Sequence, residues 1–202
     1  MQALFVHGMG RSPLSGWPLL WRLQGHGVAT HTFGYAAALE DFAGIEHRLA
    51  RSIANVASRG EYVLIGHSLG GVLLRSALHS LDRRCTPPAR VFLLGSPISP
   101  ARVATNLSGN GAYRLIAGDC GQFLASPERM CAIPALTVPT TAIIGTLGWP
   151  RGHGPFGSEP NDGLVSVAEA SAAWIEDAVQ VPVPHSLLPS SSRVAALIAA
   201  RL

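Results

Sequence analysis

Tyr62-Val63-Leu64-Ile65-Gly66-His67-Ser68-Leu69-Gly70-Gly71 is the stretch that decides how this chain folds. Its first four residues are apolar and read as a buried strand, and Val72 to Leu81 reads as a helix. Between them lies Gly-x-Ser-x-Gly. A strand-to-helix turn this tight strains the backbone of its serine and projects the hydroxyl at the helix N-terminus. The positions two before and two after the serine must be small, because a side chain there would strike the neighbouring strand and helix. Gly66 and Gly70 meet that demand. The competing reading is a glycine-rich turn with an incidental serine, and the rest of the chain has to decide between them.

Outward from this turn the sequence alternates. Ala3 to Val6 is an apolar strand that ends at His7-Gly8-Met9-Gly10. Pro13 to Leu23 holds a short helix, and Val28 to Tyr35 is β-prone. Asp41 to Ser58 is an amphipathic helix, with Phe42, Ile45, Leu49, Ile53 and Val56 on one face and Asp41 as its cap. Further strands are expected at Arg90 to Leu94, Thr140 to Ile144 and Val179 to Val183, and a last helix from Ser192 to Leu202. Strands alternating with helices imply a mainly parallel sheet covered on both faces. Residues 1–202 read as a single domain without repeats or linkers. Two stretches break the alternation. Pro97 to Pro139 is too long for an ordinary connection and reads as a small lid or as a surface excursion with a short helix. Gly145 to Gly163 is rich in Gly and Pro and follows a strand's carboxyl end, where such sheets build their sites.

Composition narrows the function classes. Apolar residues are 48% and charged residues 13%, which excludes a disordered chain. The formal net charge is +3, every basic residue is arginine, and the longest basic run is Arg83-Arg84. A diffuse excess of this kind argues against a nucleic-acid partner. No apolar run is long enough to span a membrane. The first strand begins almost at Met1, leaving no room for a signal peptide, so a cytoplasmic location is expected, the alternative being a leader already removed. Cys85, Cys120 and Cys131 lack metal-ligand spacing and are expected to be free thiols; the alternative is a Cys120–Cys131 disulfide.

A serine hydroxyl needs a base to take its proton and a group to orient that base. His79 lies about 16 Å along the helix from Ser68, at 1.5 Å per residue, and is too far to act. His185, just past the last strand, is placed to return to Ser68; His153 is the weaker candidate. In strand–elbow–helix hydrolases the acid falls between nucleophile and base in the chain. Asp162 in Asn161-Asp162-Gly163-Leu164-Val165 is the choice, ahead of Asp119 and Glu159. Two backbone N–H groups are needed for an oxyanion. Leu69, after the nucleophile, and Met9, in the first strand's exit loop, are the expected donors. Gly8-Met9-Gly10 lacks the rest of a phosphate-binding fingerprint. Trp149 and Trp17 are candidates to line a substrate pocket, although Trp17 and Trp21 also sit at core-packing spacing.

Four segments in this order resemble the bacterial lipase/esterase type of α/β-hydrolase: His7-Gly8-Met9-Gly10, Gly66 to Gly71, Asn161 to Val165, and Pro184-His185-Ser186. They span nearly the whole chain. The resemblance implies a minimal α/β-hydrolase fold with a six-stranded parallel sheet. It implies a serine carboxylester hydrolase acting on small-molecule or lipid esters, with possible contact to a lipid interface. It implies no cofactor, and it strengthens Asp162 as the acid; the chain offers no clear second carboxylate partner for the calcium site that some of these lipases carry, so no metal is expected. The chain is shorter than the larger lipases, so their helical lid has room only in part. An acyltransferase or thioesterase would use the same residues, and a non-catalytic binding protein on this scaffold is the remaining alternative.

Overall fold

The computed structural model describes residues 1–82 and 84–202; Arg83, half of the Arg83-Arg84 pair, lies outside the described residues. Six strands form one sheet: β1 (Gln2–Val6), β2 (Ala29–Phe33), β3 (Tyr62–His67), β4 (Arg90–Leu94), β5 (Thr140–Gly145) and β6 (Asp177–Val181). Their order is β2-β1-β3-β4-β5-β6, and every pairing is parallel. β3 and β5 are buried along their whole length, as continuous apolar runs demand between two helical layers. The edge strands β2 and β6 keep polar residues on their open sides.

Two helical layers cover the sheet. One face packs on α2 (Phe42–Ala57) and α3 (Leu69–His79), through Ile45, Leu49, Ile53, Leu69 and Leu73. The other packs on α1 (Trp17–Gln24) and α7 (Ser192–Ala199), through Leu19, Leu23, Val194 and Ile198. Asp41 caps α2 as the sequence suggests, its Oδ1 accepting the Gly44 N–H at 2.6 Å. No helix among the described residues is long and apolar enough to cross a membrane.

Several boundaries differ from the sequence reading. α3 begins at Leu69, directly after Ser68, and not at Val72, because Gly70 and Gly71 supply close packing inside the first turn. β6 runs two residues earlier than expected. Pro182 has no N–H to extend the ladder, and Asp177 is held at the strand's start by the Thr141 hydroxyl at 2.8 Å and by Arg201. The helix α7 closes at Ala199 and not at Leu202; Arg201, just beyond its end, donates back to the Leu197 carbonyl at 3.0 Å.

Residues 97–139 are more helical than expected. They form α4 (Arg102–Leu107), α5 (Gly111–Ala125) and α6 (Pro127–Cys131). Phe123 stacks on Phe42 with centroids 3.6 Å apart, and Asp119 accepts the Phe42 N–H at 2.9 Å, so the segment is joined to the start of α2. α5 kinks at Gly118, whose positive φ of 55° brings it against the Ala37 carbonyl, where no Cβ fits. Cys85, Cys120 and Cys131 are all free thiols. Trp17 and Trp21 are not core residues: they stack on each other while 62% and 60% exposed. Leu19, Leu20 and Leu23 fill the buried stripe of α1, leaving both indoles on the outside.

The packing of α3 yields a direct test. A Cβ at Gly70 would sit 2.6 Å from the His7 carbonyl oxygen and closer still to that of Val6, both rigid backbone. Gly70→Ala is expected to lower stability by about 3 kcal/mol or more, measured by urea denaturation. Gly109→Ala, where nothing lies within 4 Å, is expected to stay within about 0.5 kcal/mol of the parent.

Candidate active site

The carboxyl ends of the strands gather the sequence-predicted residues. Ser68 follows β3 with φ 54° and ψ −124°, the one non-glycine residue at positive φ among those described. Such a conformation costs about 1–3 kcal/mol and persists where the surroundings impose it. They do so here from three sides. The Ser68 N–H donates to the Leu94 carbonyl at 2.9 Å, next door in β4. A Cβ at Gly66 would lie 2.8 Å from the Gly70 carbonyl carbon, so the chain can turn back only without one. A Cβ at Gly8 would lie 3.1 Å from Ser68 Cβ, so the loop after β1 presses against the serine. Ser68 is partly exposed while His67 and Leu69 are buried, and its Oγ has no hydrogen-bond partner among the described residues.

Met9 lies in that pressing loop, and Leu69 is the first residue of α3. Neither backbone N–H finds an acceptor among the described residues. The Leu69 N–H also stands at the positive end of the α3 dipole.

Asp162 and His185 meet in the interior. His185 Nδ1 lies 2.7 Å from Asp162 Oδ2, and the His185 backbone N–H donates to the Asp162 carbonyl at 2.9 Å. The carboxylate is fully buried, and its Oδ1 accepts the N–H groups of Leu164 and Val165 at 3.0 and 2.8 Å. With both oxygens engaged, in three hydrogen bonds, the carboxylate is fixed, and it holds the imidazole proton on Nδ1. Nε2 is then left with its lone pair free. Gly95, at φ 52°, makes room for this pair, since a Cβ there would stand 2.9 Å from Asp162 Oδ2 and 3.1 Å from His185 Nδ1.

The competing candidates are engaged elsewhere. Asp119 forms a two-point ion pair with Arg129, which holds its carboxyl below the usual range. Glu159 pairs with Arg102, and His153 is exposed on a loop. Trp149 lines an open pocket of about 440 Å³ with Leu147, Pro150, Leu164 and His185. Trp17 does not line it.

Three residues in this cluster were not singled out in the sequence. His67, inside the motif itself, is buried; its Nε2 donates to the His185 carbonyl at 3.1 Å, and its ring rests on the His185 ring at 4.9 Å. Burial and the neighbouring His185 hold it well below the ordinary histidine range, so it is neutral. His7 is also buried and stacks on Tyr35 at 4.2 Å; its Nε2 accepts the Tyr35 N–H, and burial lowers its pKa. Asn161 accepts the Trp149 and Gly163 N–H groups and donates to the Trp149 and Glu159 carbonyls, tying the pocket wall to the Asp162 loop. Its place beside Asp162 is a signal the sequence offers; nothing in the sequence reveals the bond from His67 to residue 185.

Solved structures similar to this chain share the arrangement of strands and helices. The metagenomic carboxyl esterase MGS0156 superposes with a TM-score of 0.78 at 18% identity, over all of this chain and 74% of that one. The RedJ thioesterase from the prodiginine biosynthetic pathway of Streptomyces coelicolor gives 0.69 at 16% identity, over all of this chain and 90% of its own. The Bacillus licheniformis lipase BlEst2, in its propeptide form, gives 0.68 at 17%, over 98% of this chain and half of its own. No family model and no curated protein matches the sequence. At such identities the likeness is one of fold, and the fold is that of the α/β-hydrolases, of the shape shared by bacterial esterases and lipases.

The two buried histidines make stability depend on pH. Folding keeps His67 neutral, while the unfolded chain takes up its proton near the reference pKa of 6.5. Below about 6.5 the unfolded state therefore binds more protons, and stability falls as the pH falls. For His67 the slope approaches about 1.4 kcal/mol per pH unit, and His7 adds to it in the same direction. Denaturant titrations between pH 7 and 5 are expected to show this loss, with a flatter dependence in His67→Gln.

Proposed function

We propose that this protein is a serine carboxylester hydrolase, with Ser68 as nucleophile, His185 as general base and Asp162 as the group that orients it. The observation that carries the reading is the buried Asp162–His185 bond of 2.7 Å, with a serine held at positive φ at the carboxyl end of β3. A carboxylate so placed fixes the tautomer that presents a free Nε2 and stabilises the imidazolium that follows. Partly exposed and without a competing hydrogen bond, the Ser68 hydroxyl is free to meet it.

The reaction runs in two steps. His185 Nε2 takes the hydroxyl proton as Ser68 Oγ attacks the ester carbonyl, and the negative charge moves onto the carbonyl oxygen. The Met9 and Leu69 N–H groups receive that oxyanion; each such donor is worth roughly 10²–10³ in rate. The tetrahedral intermediate collapses, the C–O bond to the alcohol breaks, and His185 returns the proton to the leaving oxygen. Water then attacks the acyl-enzyme with the same proton traffic and releases the acid. No step calls on a cofactor. The Trp149 pocket, lined with apolar side chains beside His185, suits the organic part of an ester. The names of the similar proteins, a carboxyl esterase, a lipase and a thioesterase, agree with acyl transfer to water.

A thioesterase is the second reading, favoured by the likeness to RedJ over the full length of this chain. The same residues serve it, with a thiolate as leaving group.

A fluorophosphonate probe is expected to label the wild type and to leave Ser68→Ala unlabelled; labelling of the mutant would remove Ser68 from the role. His185→Ala is expected to lower turnover of p-nitrophenyl butyrate by about 10³-fold or more, while His153→Ala retains most of it. Comparing p-nitrophenyl esters with acyl thioesters of the same chain length decides between the two readings, the ester hydrolase predicting the higher kcat/KM on esters.

A further inference from the structure

Arg75 lies on the inward face of α3 and is 2% exposed. Its Nη2 donates to the Ile133 carbonyl at 3.2 Å. Nε and Nη1 are buried and have no acceptor, which leaves three N–H bonds unused. Among the described residues no carboxylate forms a salt bridge with it; its Cζ lies 5.5 Å from the centroid of the Trp174 ring. Burial pulls its pKa down to about 10, so it remains a cation at neutral pH. A buried cation with neither counter-charge nor filled hydrogen bonds is an arrangement that folded interiors avoid.

Arg75 also lines a half-enclosed pocket of about 270 Å³, walled by Leu78, Leu81, Pro87, Pro88 and Leu136. Pro87 and Pro88 lead into β4, and Leu136 leads into β5, so the pocket lies toward the amino ends of the strands. Ser68, Asp162 and His185 lie at the carboxyl ends, and none of them lines it. His79, Asp82 and Cys85 complete its polar edge; Asp82 accepts the Arg84 N–H at 2.9 Å through Oδ1 alone and leaves one negative charge at the rim.

We propose that this pocket binds a short-chain carboxylate, whose head group meets the charge of Arg75 and whose hydrocarbon part rests on the leucine and proline walls. A carboxylate brings several acceptor lone pairs to a guanidinium that lacks acceptors; because Nε and Nη1 are closed to solvent, it reaches them only as the pocket wall shifts, and at longer range it meets the charge alone. The apolar walls give its tail a place that inorganic phosphate cannot use and that a neutral amide reaches without satisfying the charge. The site is independent of the proposed ester chemistry and does not need Ser68.

Butyrate is the probe. At constant ionic strength, sodium butyrate is expected to raise the Tm of the wild-type protein saturably, by roughly 5 °C at high occupancy. Phosphate and neutral butyramide are expected to leave it unchanged. Arg75→Met is expected to abolish the butyrate response. Ala135→Trp, a substitution at an exposed position of the pocket wall, keeps Arg75 and closes the pocket; it is expected to abolish the response even if Arg75→Met does not fold. Butyrate held at the Ser68 site would still act on Ala135→Trp, so a shift that survives there overturns the proposal. So does the absence of a saturable shift in the wild type, or an equal one from phosphate or butyramide.

Discussion

The close approach of α3 to the sheet is the constraint on which the rest of this molecule depends. Gly66, Gly70 and Gly71 stand where a Cβ would strike backbone of the turn itself, the carbonyls of Val6 and His7, and Ser96 respectively. With all three as glycine, the helix drops onto β1, β3 and β4 together. That contact sets where the chain after β1 must run, brings Gly8 against Ser68, and leaves the backbone of Ser68 no conformation but a strained one. The strain is local, and the buried apolar packing of α3 through Leu69, Leu73 and Leu74 offsets it.

A second organising element is the hydrogen-bonded loop around Asp162. Asn161, Asp162 and Ser166 are almost fully buried in a segment without regular secondary structure, so each polar group must be satisfied by its neighbours. Asn161 holds Trp149 and Asp162 takes His185. Glu169 accepts the Ser166 N–H at 2.7 Å and the Arg102 N–H at 2.6 Å. Through Arg102 the loop is joined to α4, and through Asp119 and Phe123 the same helical segment is joined to α2. The 97–139 region is thus bonded both to the site and to the scaffold.

The molecule treats its buried bases in two ways. His7 and His67 are neutral; both ring nitrogens of His7 have polar partners, while His67 has one at Nε2 and none at its buried Nδ1. Arg75 cannot discharge at neutral pH, and its neighbourhood leaves its donors open. The first arrangement suits a site that needs fixed dipoles near Ser68. The second sets a permanent positive charge toward the opposite, amino-terminal end of the strands.

Much of this was legible in the sequence. Apolar runs of four to six residues fixed the existence of the strands, because a strand buried on both faces has no polar alternation to disguise it. The three-and-four spacing of Phe42, Ile45, Leu49, Ile53 and Val56 fixed α2. Gly66 and Gly70 announced the turn, since a side chain is sterically excluded there, and the positions of Asp162 and His185 after successive strands pointed to their meeting. What the sequence could not carry were effects made by distant neighbours. Trp17 and Trp21 match a buried helical stripe as well as their leucines do, and only the packing of α1 against the sheet decided which set faces inward. The helices of 97–139, the partner of Asp119, the bond from His67 to the residue 185 carbonyl and the open donors of Arg75 all depend on segments brought together across dozens of residues. Local propensity specifies an element; contact between elements, which no local pattern encodes, decides which charges are paired and which remain open.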